Sequence, residues 1–138
     1  LEAAAAAEAM GGHLATIASA EEDAFVFDLC DAPEFQSPNG LHGAYLGAFQ
    51  LAGSDEPGGG FQWVTGEDFT SYTNWNSGEP NESGEEQVLH YHIPNSGTPS
   101  WNDISYLGSG DPDFAVRGYV VEFDGLDATI PSLSDLIG

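Results

Sequence analysis

A chain of 138 residues, 41% hydrophobic and carrying 3 Trp, 5 Tyr and 8 Phe, is long and apolar enough to build one globular domain with its own core, and it is no disordered acidic tail. Arg117 is the only basic residue against 23 Asp and Glu, a formal charge of -22 that excludes nucleic-acid binding through phosphates and disfavours anionic membrane surfaces; no apolar run approaches the ~20 residues that span a bilayer. Such a surface repels itself, and divalent cations relieve that repulsion most effectively.

In chain order, the alanine-rich residues 1–10 predict a helix, followed by Gly11 and Gly12 where a left-handed C-terminal cap belongs. No signal-peptide pattern opens the chain, and a start inside a helix without a cap leads us to expect a domain of a larger polypeptide, with any export signal outside it. Residues 13–17 read as a short extended piece. Ser19 with Glu22 three residues later forms a capping box for a second helix that runs through Ala24, Val26, Phe27 and Leu29 to about Asp31. Cys30 is the only cysteine, so no intramolecular disulfide is possible, and it is expected to pack as a small hydrophobe. Residues 44–47 and 61–65 predict strands separated by the glycine-rich turn 53–60, which carries Asp55 and Glu56.

Residues 66–86 then form a long acidic loop with little periodicity, a kind of segment that in a compact domain is functional or disordered. It carries Trp75 and the tripeptide Glu79, Pro80, Asn81, which favours function. Residues 88–93 and 119–123 read as strands by their β-branched and aromatic content, and Trp101 opens another between them. Helices followed by strands give an α+β domain, with 124–138 a C-terminal tail or linker. His90 and His92 share one strand face but lack the further ligands of a usual zinc site, so they are expected to be ordinary strand residues. No GxSxG elbow is present, and no enzyme is expected.

Two tripeptides carry the chemistry: Glu79, Pro80, Asn81 and Trp101, Asn102, Asp103. Calcium takes six to eight oxygen ligands at about 2.3 to 2.6 Å from carboxylates, amides and carbonyls, and these motifs offer all three kinds. The acidic stretch Glu82, Glu85, Glu86 lies between them, and the absence of His and Cys from the set argues against zinc. Singly, each tripeptide is an ordinary turn or strand end. A saline habitat also selects acidic surfaces, so charge by itself does not specify a site.

The ordered series Gly11 to Ile17 (GGHLATI), Tyr45 to Gly47, Trp63 to Glu67 (WVTGE), Tyr72 to Trp75 (YTNW), Glu79 to Asn81 (EPN), Trp101 to Asp103 (WND) and Tyr119 to Phe123 (YVVEF) resembles the C-type lectin-like domain over residues 1 to 123. The resemblance implies a double-loop fold, two helices flanking small antiparallel sheets, with a long loop holding a calcium ion that binds sugar directly. By the same resemblance Glu79, Asn81, Glu85, Asn102 and Asp103 are the calcium and carbohydrate ligands, Asp55, Glu56, Glu82 and Glu86 are candidates for an auxiliary metal, and Pro80 is cis. Trp63, Trp75 and Trp101 fall on structural positions. Glu, Pro, Asn goes in this family with mannose, fucose and glucose-type sugars bearing equatorial vicinal hydroxyls, which implies Ca2+-dependent glycan binding and adhesion at an extracellular or cell-surface location. The positions where the family places its cysteines are here Ala7, Gln87, Tyr106 and Val121, as in disulfide-free bacterial-like members. A protein-, peptide- or ice-binding module on the same fold is the alternative.

Overall fold

A computed structural model describes residues 1–81, 85–93 and 97–124. Helix α1 spans Glu2–Ala9, as its alanine content dictates. It stops because Gly11 turns to φ +86°, letting Gly11 N–H donate to the Glu8 carbonyl at 2.9 Å and Gly12 N–H to that of Ala7 at 3.1 Å. Strand β1 (His13–Leu14) leads into α2 (Ala20–Cys30). The capping box is reciprocal: Glu22 N–H donates to Ser19 Oγ at 3.1 Å, while Ala18 N–H donates to Glu22 Oε2 at 2.6 Å. Asp23, Val26, Phe27 and Cys30 are the buried residues of α2, at the i, i+3, i+4, i+7 spacing of one helix face.

Strands β2 (His42–Gln50), β3 (Phe61–Trp63), β4 (Val88–His92) and β5 (Trp101–Ile104) form one antiparallel sheet in the order β3-β2-β4-β5. The short β6 (Val121–Glu122) pairs with β1 in a second sheet, joined to the first by a parallel bridge between Tyr45 and Tyr119. This is the expected α+β architecture, two helices with small antiparallel sheets. Strand β2 is longer than predicted at both ends, whereas β6 is shorter; of its neighbours, Tyr119 bridges to Tyr45 of β2, and Val120 lies between the sheets, its N–H donating to the Tyr45 carbonyl at 3.4 Å and its carbonyl accepting from Ala15 N–H at 2.9 Å. Residues 125–138, read above as a tail or linker, lie outside the described residues.

The core between α2 and the main sheet is aromatic. Trp63 and Trp101 are buried and meet edge to face at 5.7 Å between ring centroids, with Phe61, Phe69 and the partly buried Trp75 around them. At its centre sits a charge, the carboxylate of Asp23, with no exposure at all. Tyr91 Oη donates to its Oδ1 at 2.8 Å and Trp101 Nε1 at 3.2 Å; Tyr72 Oη donates to Oδ2 at 3.0 Å and Asn74 Nδ2 at 2.7 Å. A buried anion is tolerable where fixed dipoles replace its water. Burial, then the Asp23 charge, pushes the Tyr72 and Tyr91 hydroxyls well above their usual range, so both remain O–H donors. One helix side chain thereby fixes β4, β5 and the base of the long loop.

Candidate functional site

The loop reaches β5 through its backbone. Trp101 N–H donates to the Asn74 carbonyl and Asn76 N–H to the Trp101 carbonyl, both at 2.8 Å, so residues 74–76 run parallel to the start of β5. Glu79 N–H then closes a turn onto the Asn76 carbonyl at 2.9 Å, and the Glu79–Pro80 peptide is cis. Beyond it Asn81 N–H points to Asp103 Oδ1 at 3.4 Å, and Asn81 Nδ2 donates to Glu79 Oε1 at 2.9 Å. The structure therefore brings Glu79 and Asn81 together with Asp103, although more than twenty residues of sequence separate the two motifs.

Their electrostatics are adverse as they stand. Burial, then the charges of Asp103 and Glu86, raises the Glu79 carboxyl above the usual range, and the Asn81 amide opposes it. Asp103 itself is fully buried. Glu79 Oε2 and Asn102 Oδ1 are buried acceptors without a hydrogen-bond partner, an arrangement that costs folding energy unless something positive meets those oxygens. Asn102 Nδ2 lies 3.1 Å from His90 Nε2. Burial keeps that imidazole neutral, and in the tautomer with its proton on Nδ1 the ring accepts from the amide through Nε2 and leaves Oδ1 facing away.

The remaining predicted residues are distributed around this centre. Glu85 is exposed, whereas Glu86 is partly buried and is the one whose charge is felt at Glu79. Asp55 and Glu56 are exposed on the glycine-rich turn; Glu56 Oε2 is held by Gln50 Nε2 at 2.8 Å, and the Glu56–Pro57 peptide is also cis, which the sequence reading missed. That turn buttresses the site, because a Cβ on Gly58 would stand 2.9 Å from Pro80 Cγ. Glu82 lies outside the described residues. Among the described residues no three His, Cys, Asp or Glu side chains converge as a ready-made metal cage. A calcium ion fits the donor chemistry nonetheless: the set consists entirely of oxygens, mixes carboxylate with amide, and contains the two partnerless acceptors.

The histidines are less ordinary than expected. The register pairs His42 with His92, and the His42 ring lies 4.7 Å from that of His90 and 6.0 Å from that of His92. Burial lowers all three pKa values, the neighbouring imidazoles adding to it for His42 and His90. His13 goes the other way: burial alone would lower it, but hydrogen bonds to the Leu14 carbonyl and Asp124, with the charges of Glu122 and Asp124, outweigh that and raise it. In a proton NMR titration the Cε1 signals of His42, His90 and His92 are expected to move only below the usual 6.5, and that of His13 above it. Because the unfolded state protonates the three first, their contribution to stability is present above about pH 6.5 and is lost as pH falls towards their folded-state values. A shared midpoint for all four would refute this.

The family model for the Lectin C-type domain matches residues 1–106. The chain belongs to the C-type lectin domain family. A perlucin-like protein of Mytilus galloprovincialis is 30% identical over 103 residues, 75% of this chain and 60% of that protein, so the chain spans less than two thirds of this curated relative. Among solved structures, the cow C-type carbohydrate-recognition domain of CD23 is similar at 28% identity and TM-score 0.59, over 86% of this chain and 74% of that one. A herring type II antifreeze protein matches with the same TM-score, 0.59, at 18% identity over 87% of this chain and 78% of its own, which shows the shared fold alone. Within these 138 residues Cys30 is the one cysteine, so no disulfide forms inside the chain; it is buried, and burial pushes its thiol up to about 12.

Proposed function

We propose that this C-type lectin domain binds sugars with equatorial vicinal hydroxyls, of the mannose, fucose and glucose type, in a calcium-dependent manner, as a glycan-adhesion module of a larger surface or secreted protein. The observation that carries the reading is the approach of Glu79 and Asn81, across a cis proline, to Asp103, with Glu79 Oε2 and Asn102 Oδ1 left as buried acceptors. Glu79, Asn81, Glu85, Asn102 and Asp103 would hold the ion. When bound, calcium supplies a cation to which two neighbouring sugar hydroxyls can add as oxygen ligands.

The chain's own residues then read the stereochemistry. Carboxylates accept only, so Glu79 and Glu85 would accept hydrogen bonds from the sugar hydroxyls; the Asn81 and Asn102 amides would offer N–H groups to the hydroxyl oxygens. Exchanging acid and amide across Pro80 would exchange donor and acceptor positions, and with them the hydroxyl pair that fits. A shallow site buries little of the ligand, so weak affinity per site is expected. The cow relative was solved in the presence of a GlcNAc2Man3 oligosaccharide, which supports the reading. Auxiliary cation binding around Asp55, Glu56, Glu82 and Glu86 belongs to the same proposal.

A glycan array probed in calcium and again in chelator tests it. Mannose and fucose-type glycans are expected to bind only with calcium, and Glu79→Gln combined with Asn81→Asp to move the preference to galactose-type glycans. Absence of any calcium-dependent glycan would sink the lectin reading and favour the protein- or ice-binding alternative.

A further inference from the structure

The glycine-rich turn that leans on Pro80 is gathered by a single side chain, that of the last residue of β2. Gln50 is buried and its amide points into the turn: Nε2 donates to Glu56 Oε2 at 2.8 Å and to the Gly59 carbonyl at 2.9 Å, with the Pro57 carbonyl at 3.3 Å. The two short bonds use both N–H groups of the amide. Backbone bonds complete the frame, Leu51 N–H donating to the Gly60 carbonyl at 3.0 Å and Gly59 N–H to that of Asp55 at 2.7 Å. The same residue reaches the other side of the site. Its own N–H donates to the Gln87 carbonyl at 2.8 Å, which fixes the chain directly after Glu86, the acid whose charge is felt at Glu79.

Between the turn and Pro80 there is no slack. A Cβ on Gly58 would stand 2.9 Å from Pro80 Cγ, closer than side chains approach, and a proline ring cannot swing aside. Close-packed contacts transmit displacement, so a shift of the turn passes to Pro80 and thus to Glu79 and Asn81 on either side of it. Glu56 and Gly58 are exposed, and acceptors released from Gln50 at this surface can turn to water. Losing the clamp therefore costs position more than stability.

We propose that Gln50 is a positioning residue of the calcium centre, holding the turn that sets the place of Pro80 and with it the side chains of Glu79 and Asn81; the inference rests on the calcium-dependent lectin reading. Calcium titration calorimetry of the unmodified chain, Gln50→Met and Gly58→Ala tests it. Methionine keeps the bulk of Gln50 without its donors, whereas the alanine pushes on Pro80 with the clamp intact. Each is expected to raise the calcium dissociation constant about tenfold, as loss of outer-shell support does. The double variant is expected to fall well short of a hundredfold, because both changes act through one contact. A glutamine that only stabilises the fold would lower the melting midpoint in chelator and leave the calcium dissociation constant where it was. That result, or a full hundredfold in the double variant, overturns the proposal. If the unmodified chain takes up no calcium, the lectin reading itself has failed. Amide spectra of the unmodified chain and Gln50→Met without calcium then decide: movement of the Asn81 and Asp103 signals retains Gln50 as the residue that places them, and changes confined to residues 50–60 and 87 remove it.

Discussion

Calcium at about a hundredfold excess over its dissociation constant is expected to stabilise the domain by about 2.7 kcal/mol, raising the thermal midpoint by roughly 8 °C for a chain of this size. The reason lies in the site's own repulsion: Glu79 is shifted upward by burial and by Asp103 and Glu86, so a cation among these oxygens relieves a cost that folding otherwise carries. Asp103→Asn should separate the two effects. It keeps an oxygen to accept from Asn81 N–H but deletes one of the mutually repelling charges. The variant is therefore expected to melt at the same temperature or higher in chelator, and to lose most of the gain on adding calcium. Differential scanning calorimetry of both proteins with and without the ion decides it. A variant that melts lower in chelator yet keeps the full calcium shift contradicts the proposed ligand set.

Asp23→Ala should lower unfolding free energy by about 4 kcal/mol, as measured by urea titration. The substitution strands the Tyr72 hydroxyl and the Trp101 indole N–H, and takes one acceptor each from the Tyr91 hydroxyl and the Asn74 amide, which keep the backbone carbonyl of residue 23 and that of Pro99. Each buried donor left unsatisfied costs about 1 to 3 kcal/mol, though such neighbouring losses do not sum in full. Tyr72→Phe, which leaves the carboxylate its other donors, should cost only about 1 kcal/mol. If Asp23→Ala costs no more than Tyr72→Phe, the carboxylate is not what ties α2 to the sheet and the loop.

That hub was invisible in the sequence for a physical reason. Asp23 occupies the first turn of a capped helix, where an acid is already accounted for by the helix dipole, and nothing local distinguishes an exposed acid there from a buried one. Local signals were legible because local chemistry generates them: the Ser19 and Glu22 cap, Gly11 after α1, and Trp63 and Trp101 as core residues all appear where expected. The approach of Glu79 and Asn81 to Asp103 was legible only through the order of the family motifs, since spacing cannot show which segments meet. The histidine trio was not legible for a different reason. His90 and His92 could be placed on one strand face, but the third ring arrives from His42 by strand register, which no single segment encodes. Likewise no local pattern encodes the close approach of Gly58 to Pro80, where the structure uses the missing side chain to admit the proline ring.

Among the described acids only Asp23 and Asp103 are buried. Dissolved salt shortens the reach of exposed charges to about 8 Å at physiological ionic strength, so any monovalent brine quietens the acidic exterior. Neither interior carboxylate shares that atmosphere. Asp23 carries its solvation with it, as neutral phenol, indole and amide dipoles, while Asp103 lies among other carboxylates. The chain thus answers to its ions in two separable ways: the outer shell responds to how concentrated they are, and the loop at Asp103 to which ion is present.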